Sequence, residues 1–366
     1  MNPSQPEGAD SHAASREDPP VPVDLSRYSR QMLFAPIGEE GQRRLARARV
    51  LLVGCGALGT HLADALVRAG VGLLRLVDRD FIELNNLQRQ VLFDEDDIAA
   101  GLPKAEAARR KLARINTAVS VEAVVADATF RNIEQLAEGV DLLLDGTDNF
   151  ETRYLINDLA VKTGRPWIYG ACVGATGLSM PVLPGETPCL RCVFEQAPPP
   201  EMNPTCDTAG ILGPTVSLVT AHQAMQAIKL LSGHPEAVDR RLLHFDAWQN
   251  RCVFLNVQPA QGETDCPCCR QRRFDFLDGT LAGGTTVLCG RNAVQVTPVD
   301  AGRLEFAALA PRLTTAGATE VRFNAFMLKA RVETFDLTLF PDGRAIIAGT
   351  RSPEQARTLY ARYIGA

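Results

Sequence analysis

The sequence predicts a doubly wound α/β fold with a mixed sheet, followed by a small α+β domain. Three observations predict it. An apolar strand, Arg49 to Val53, runs straight into the turn Gly54-x-Gly56-x-x-Gly59 and a helical pattern ending at Gly70. Apolar strands alternate with helical stretches from there to about residue 183. After Cys269 the pattern changes to short strands with scattered helices.

The first βαβ unit closes with a strand from Leu73 to Val77 that ends on Asp78. Further strands are expected at Val121 to Val125, Asp141 to Asp145, Trp167 to Val173 and Gly177 to Leu183. A proline-rich loop follows from Ala197 to Pro204, then a long apolar helix from Leu212 to Leu231. A strand pair at Leu242 to Phe245 and Cys252 to Val257 completes the series. Gly279 to Gly284 reads as a linker. Beyond it, strands are expected at Thr286 to Leu288, Val332 to Phe340 and Arg344 to Ile347, with helices at Phe306 to Leu313 and Pro353 to Tyr363. Pro341-Asp-Gly343 makes the hairpin turn. The expected organisation is a disordered tail over 1–24, a nucleotide-binding unit over 25–275 and a small unit over 285–366.

Composition narrows the function. The chain has 366 residues, 46% of them hydrophobic, enough for one large core or two smaller ones. A net charge of −5 argues against a general nucleic-acid binder. No apolar run reaches the ~20 residues that span a bilayer, and the N-terminus lacks the pattern of a signal peptide, so a cytoplasmic protein is expected. Ten cysteines are many for a reducing compartment. Two C-x-x-C knuckles, Cys189-Leu-Arg-Cys192 and Cys266-Pro-Cys-Cys269, explain much of that number: Cys189, Cys192, Cys266 and Cys269 supply a closed tetrahedral set for a structural Zn²⁺. Cys268 is a spare that could replace Cys269, and Arg191 is expected to be exposed. Cys55, Cys172, Cys252 and Cys289 sit in apolar surroundings and read as small core residues. The histidines show no metal or triad spacing, and His61 and His222 read as structural.

In the glycine turn, Gly54 permits the tight bend, Gly56 lets a nucleotide approach the backbone, and Gly59 lets helix and strand pack closely. Asp78 is placed to bind a ribose. A nicotinamide-dependent oxidoreductase would share those features, and a nucleotide-binding scaffold would share them too. The run Asp78-Arg-Asp-Phe-Ile-Glu-Leu-Asn-Asn-Leu-Gln-Arg-Gln90, then Gly101-Leu-Pro-Lys104 and Gly146-Thr-Asp-Asn149, separates the readings. With Arg27-Tyr-Ser-Arg-Gln31 and Thr205-Cys-Asp-Thr-Ala-Gly210, these motifs make residues 26 to 270 resemble the MoeB/ThiF adenylyltransferases.

That resemblance implies ATP-dependent adenylation of the C-terminal glycine of a small ubiquitin-like sulfur-carrier protein ending in Gly-Gly. Such reactions feed thiamine, molybdopterin or tRNA-thiolation pathways, with a sulfurtransferase or cysteine desulfurase as a further partner. The chemistry suits the residues. A C-terminal carboxylate, with a pKa near ~3.5, is ionised without a general base, so the enzyme must gather negative charges and stabilise them with cations. Arg30, Arg89 and Lys104 are the candidate cations, and Asp148 the candidate Mg²⁺ ligand. Asn86 and Gln90 would orient phosphates, and Asp80 would lie near the nucleotide. The resemblance implies that Arg30 acts across a homodimer interface. Cys206 has two readings: a covalent partner for the carrier, as in ubiquitin-like conjugation or peptide-modifying systems, or a loop cysteine dispensable for adenylation. Relatives with a fused rhodanese domain carry a sulfur-transferring cysteine after the second knuckle. Cys289 ends a strand and does not match such a loop, so no sulfur transfer is expected in this tail.

Overall fold

The computed structural model describes residues 24–196, 209–263, 265–281, 285–288, 292–296 and 304–364. Cys206, Cys289 and the proline-rich loop lie outside the described residues, as does the expected tail except for Asp24.

Eight strands form the larger sheet: β1 (Arg49–Val53), β2 (Leu73–Val77), β3 (Ser120–Val124), β4 (Leu142–Asp145), β5 (Trp167–Val173), β6 (Thr176–Val182), β7 (Leu242–Asp246) and β8 (Arg251–Leu255). Their order is β3-β2-β1-β4-β5-β6-β7-β8. The first five are parallel, and β6, β7 and β8 are antiparallel to their neighbours. A parallel sheet covered on both faces needs apolar residues on both, and β1 and β4 supply them. Leu51, Val53 and Leu143 face one core with Trp167, and Val50, Leu52, Leu142 and Leu144 face the other with Leu74 and Leu76. The helices Ala57–Ala69 and Lys104–Ile115 cover the second face through Leu62, Leu66, Ala108 and Leu112. The helix Phe150–Thr163 covers the first through Tyr154, Leu155 and Leu159.

The smaller sheet is antiparallel throughout: β9 (Thr285–Leu288), β10 (Ala293–Val296), β11 (Thr319–Phe323), β12 (Leu328–Val332), β13 (Phe335–Leu339) and β14 (Ala345–Ala348), in the order β11-β12-β13-β14-β10-β9. The helices Phe306–Thr315 and Pro353–Tyr363 share one apolar core with it.

Three expectations need correction. The run Val332 to Phe340 is not one strand: Glu333 adopts φ 55°, and β12 and β13 pair as a hairpin with Val332 opposite Phe335. Only Val332 of β12 falls within the expected run, and the alternation breaks at Glu333 and Thr334, two exposed residues in a row. Arg191 is buried, not exposed, because Asp275 accepts its guanidinium at 3.2 Å and Phe276 stacks beneath it. Cys252 is exposed on β8, the edge strand of the larger sheet, where every residue is open to solvent. Strands β10 and β11, and β12 apart from Val332, have no counterpart in the sequence expectation.

Candidate active site

The glycine turn sits where β1 ends and the helix Ala57–Ala69 begins. Gly54 has φ 92°, and a Cβ there would lie 2.5 Å from the Gly146 oxygen. A Cβ on Gly59 would lie 2.0 Å from the Gly54 oxygen. Gly54 is therefore required by backbone packing against the β4 turn, and Gly59 by packing of its helix against Gly54. Gly56 differs. A Cβ there would meet only the Gln90 amide nitrogen, at 3.9 Å, so its outer side is open to a ligand. Gln90 is buried, and its Oε1 has no hydrogen-bond partner among the described residues. A buried orphan acceptor beside an open glycine marks where a ligand's donor would fit.

Asp78 closes the turn from the next strand. Its Oδ2 accepts the Cys55 N–H at 2.6 Å and its Oδ1 accepts the Asp80 N–H at 2.7 Å. Burial pushes its pKa up; Lys104 opposes that, and Asp80 adds to it. Lys104 opens its helix beside the turn, with its carbonyl 4.0 Å from Cys55 Sγ. Its amide donates to the Asp80 carbonyl at 2.8 Å, and its Nζ donates to Asp80 Oδ2 at 3.2 Å. The side chain is only 5% exposed, so its ammonium group is positioned by Asp80 rather than by water.

Between Asp80 and Lys104 the chain carries the remaining candidates. Asn86 is buried and accepts the Glu83 N–H at 3.1 Å in a capping box. Arg89 is half-buried and donates to the Asn85 carbonyl at 2.8 Å. Across the turn after β4, Asp148 is exposed, while Asn149 caps the helix Phe150–Thr163 by accepting the Thr152 N–H at 2.9 Å. Asp148 is thus left for solvent or an ion, and magnesium takes one or two carboxylates with phosphate oxygens.

Sequence reasoning missed the pair beneath that turn. Asp145 is fully buried; its carboxylate accepts Thr147 N–H at 2.8 Å, Thr147 Oγ1 at 2.7 Å and Arg153 Nε at 3.0 Å. Arg153 Nη2 donates onward to the carbonyls of Thr147 at 2.8 Å and Gly170 at 3.1 Å. The signal available was an acid ending an otherwise apolar strand.

Arg30 stands apart. Its neighbour Gln31 donates to the carbonyl of Ala69, at the far end of the 13-residue helix whose start is the glycine turn. At 1.5 Å per residue that end lies about 20 Å from the turn. Arg30 is exposed there.

The four expected cysteines do converge. Their sulfurs lie within 4.8 Å of one another, with Cys189–Cys192 at 3.8 Å, Cys189–Cys266 at 3.6 Å and Cys192–Cys269 at 3.3 Å. A tetrahedral zinc with Zn–S near ~2.3 Å needs sulfurs about 3.8 Å apart, so the set fits. Cys268 is outside the cluster and accepts from Asn157 Nδ2 at 3.3 Å. Asn157 Oδ1 accepts the Leu190 N–H at 2.7 Å, tying the first knuckle to the helix Phe150–Thr163.

Fold and site together define a nucleotide-binding α/β protein with a mixed sheet and a four-thiol clasp. The model of the ThiF family matches residues 28–268, and the chain belongs to that family. It is 44% identical over 339 residues to the sulfur carrier protein ThiS adenylyltransferase of Bacillus subtilis (strain 168), covering 93% of this chain and 99% of that protein. It is 40% identical over 256 residues to the SAMP-activating enzyme E1 of Haloferax volcanii, covering 70% and 93%. Among solved structures, E. coli MccB with succinimide aligns with a TM-score of 0.55 at 25% identity, covering 63% of this chain and 71% of that chain. No helix among the described residues is long and apolar enough to cross a membrane.

Proposed function

We propose that this site adenylates the C-terminal glycine carboxylate of a small ubiquitin-like sulfur-carrier protein. The protein is an ATP-dependent adenylyltransferase. A carboxylate oxygen attacks the α-phosphorus, the bond to the bridging oxygen breaks, and pyrophosphate leaves. The observation that carries the reading is the buried Lys104, paired with Asp80, beside a glycine turn that Gly56 leaves open. A preset cation beside a backbone cradle serves a polyphosphate; a hydride transfer would leave it without work. Gly54, Gly56 and Gly59 shape the cradle, Asp78 braces it with lone pairs left for a ribose hydroxyl, and Asn86, Gln90 and Arg89 hold the phosphates. Asp148 would hold Mg²⁺, which offsets phosphate charge when bound. Cys189, Cys192, Cys266 and Cys269 would hold a structural Zn²⁺.

Residues 25–275 form the adenylating unit in this reading. Arg30 lies too far from its own cradle, which supports a homodimer in which it reaches the partner's site. A need for ATP and a four-thiol clasp support a cytoplasmic reaction, and a sulfurtransferase or cysteine desulfurase would supply the sulfur afterwards. ATP–pyrophosphate exchange with carriers ending in Gly-Gly tests the reading. Exchange that needs both carrier and Asp148 supports it; preferential binding of NAD, or exchange without any carrier, overturns it.

A further inference from the structure

Among the described residues, two hydrogen bonds and a ring pair join the smaller sheet to the larger body on or beside the segment that carries the nucleotide candidates. Gln295, buried on β10, donates to Asp127 Oδ2 at 3.1 Å. The same oxygen accepts Arg79 Nη1 at 2.6 Å. Arg79 Nε lies 3.7 Å from Asp80 Oδ1, and Asp80 holds Lys104 at 3.2 Å. Phe340, at the end of β13, stacks on Phe81 with ring centres 5.8 Å apart. Phe81 itself bridges to Pro103, the residue before Lys104. Asn324, in the β11–β12 turn, donates to the Gly101 carbonyl at 3.0 Å, three residues ahead of Lys104.

We infer that Gln295, Asn324 and Phe340 are positioning residues for the adenylation site: the smaller sheet grips the connection between β2 and Lys104 and so sets the geometry of the Asp80–Lys104 pair. The connection runs from residue 78 to 104 and has only short helical turns of its own, so it depends on outside contacts for a fixed shape. A cation placed on such a connection stabilises a transition state only if it is held before the substrate arrives. The smaller sheet supplies that hold from one side, and Cys55 with the glycine turn supplies it from the other. The inference rests on the reading of Lys104 as a phosphate-binding cation.

The test uses the full-length, zinc-loaded protein. Asn324→Asp keeps the Oδ1 acceptor that receives the Phe326 and Met327 N–H groups but loses the donor to Gly101. Gln295→Met keeps the shape and loses the donor to Asp127. Each variant is expected to raise KM for ATP in pyrophosphate exchange by about fivefold or more, the effect of one lost positioning hydrogen bond, with KM for the carrier changed less than about twofold. In a Lys104→Met background the same substitutions should have no further effect on KM for ATP. Thermal unfolding of each variant checks that the fold is kept, and Asn324→Asp, half-buried in its turn, guards against a misfolded Gln295→Met. If Lys104→Met lowers ATP use and neither variant does, the inference is wrong and the smaller sheet is only attached. If Lys104→Met leaves ATP use unchanged, the reading of the site itself fails.

Discussion

Lys104 Nζ lies 3.2 Å from Asp80 Oδ2 with only 5% of the lysine side chain exposed, so this ammonium group is oriented by protein and not by water. Replacing it with Met keeps the stem's packing and removes the charge. Pyrophosphate exchange in Lys104→Met should fall about 100-fold or more, the scale of losing one preorganised electrostatic contact. The melting temperature should move by only about 2–4 °C. Steady-state exchange and a thermal melt measure the two separately.

Gly59→Ala places a Cβ 2.0 Å from the Gly54 carbonyl oxygen, and both are backbone-constrained. The turn must deform to accept it. We expect a loss of about 3 kcal/mol or more, toward the severe end for overpacking, together with loss of ATP binding. Denaturant unfolding and a nucleotide titration check both. Unchanged ATP affinity would mean that the turn does not cradle the nucleotide.

Asp148→Asn should behave in the opposite way. The residue is exposed and Asn149, not Asp148, caps the helix, so stability should stay within about 0.5 kcal/mol of the parent. Exchange should drop about 100-fold and the Mg²⁺ concentration for half-activity should rise. A magnesium titration of exchange decides it.

The cysteine cluster predicts one zinc per chain by elemental analysis. Cys192→Ser should abolish that zinc and lower the melting temperature by about 5 °C or more. Cys268→Ser should retain it, because Cys268 Sγ accepts from Asn157 and is not one of the four sulfurs that lie within 4.8 Å of one another. Equal zinc loss in both variants would place Cys268 among the ligands.

His222 gives a pH signature. Burial lowers its pKa to about 4; Asp239 partly offsets this and Lys229 adds to it. Ser179, Gln226 and the Phe254 ring also face it. An unfolded histidine, with a pKa near ~6.5, binds a proton before the folded one does. Its contribution is therefore fully present above about pH 6.5 and is lost as pH falls toward 4, by roughly 2 kcal/mol after allowing for partial exposure. His222→Asn should lose less stability than the parent across that window. Parallel curves from urea unfolding would show an ordinary histidine.

The sequence made the parallel half of the larger sheet legible because both sources of signal agreed there. Strands such as β1 are apolar at every core position, and the turns between them carry glycines that backbone contacts require. The helix Ala57–Ala69 was read to the residue, since Gly70 at φ 85° is a left-handed cap. The four-cysteine convergence was equally readable, because spacing within each knuckle implies a shared ion. What stayed hidden depends on tertiary contact. Asp145 and Arg153 look ordinary until the fold buries them together. Arg191 was misjudged because Asp275, its partner, is 84 residues away. β11 escaped notice because it is exposed on an edge, and the apolar signal of a strand weakens there.

The cysteine clasp also governs how the smaller sheet meets its docking surface. Cys266 and Cys269 lie against Cys189 and Cys192, and Phe276, a few residues on, donates its N–H to Asp158 at 3.0 Å and stacks on Tyr154 with ring centres 4.9 Å apart. The chain therefore leaves the larger sheet from a riveted point. From Asp278 to Thr285 it can extend at most about 25 Å. A tether that short keeps the smaller sheet at a high effective concentration beside Asp127, Phe81 and Gly101. Contacts as modest as these hydrogen bonds and this ring pair then hold a dock that free molecules in solution would not form.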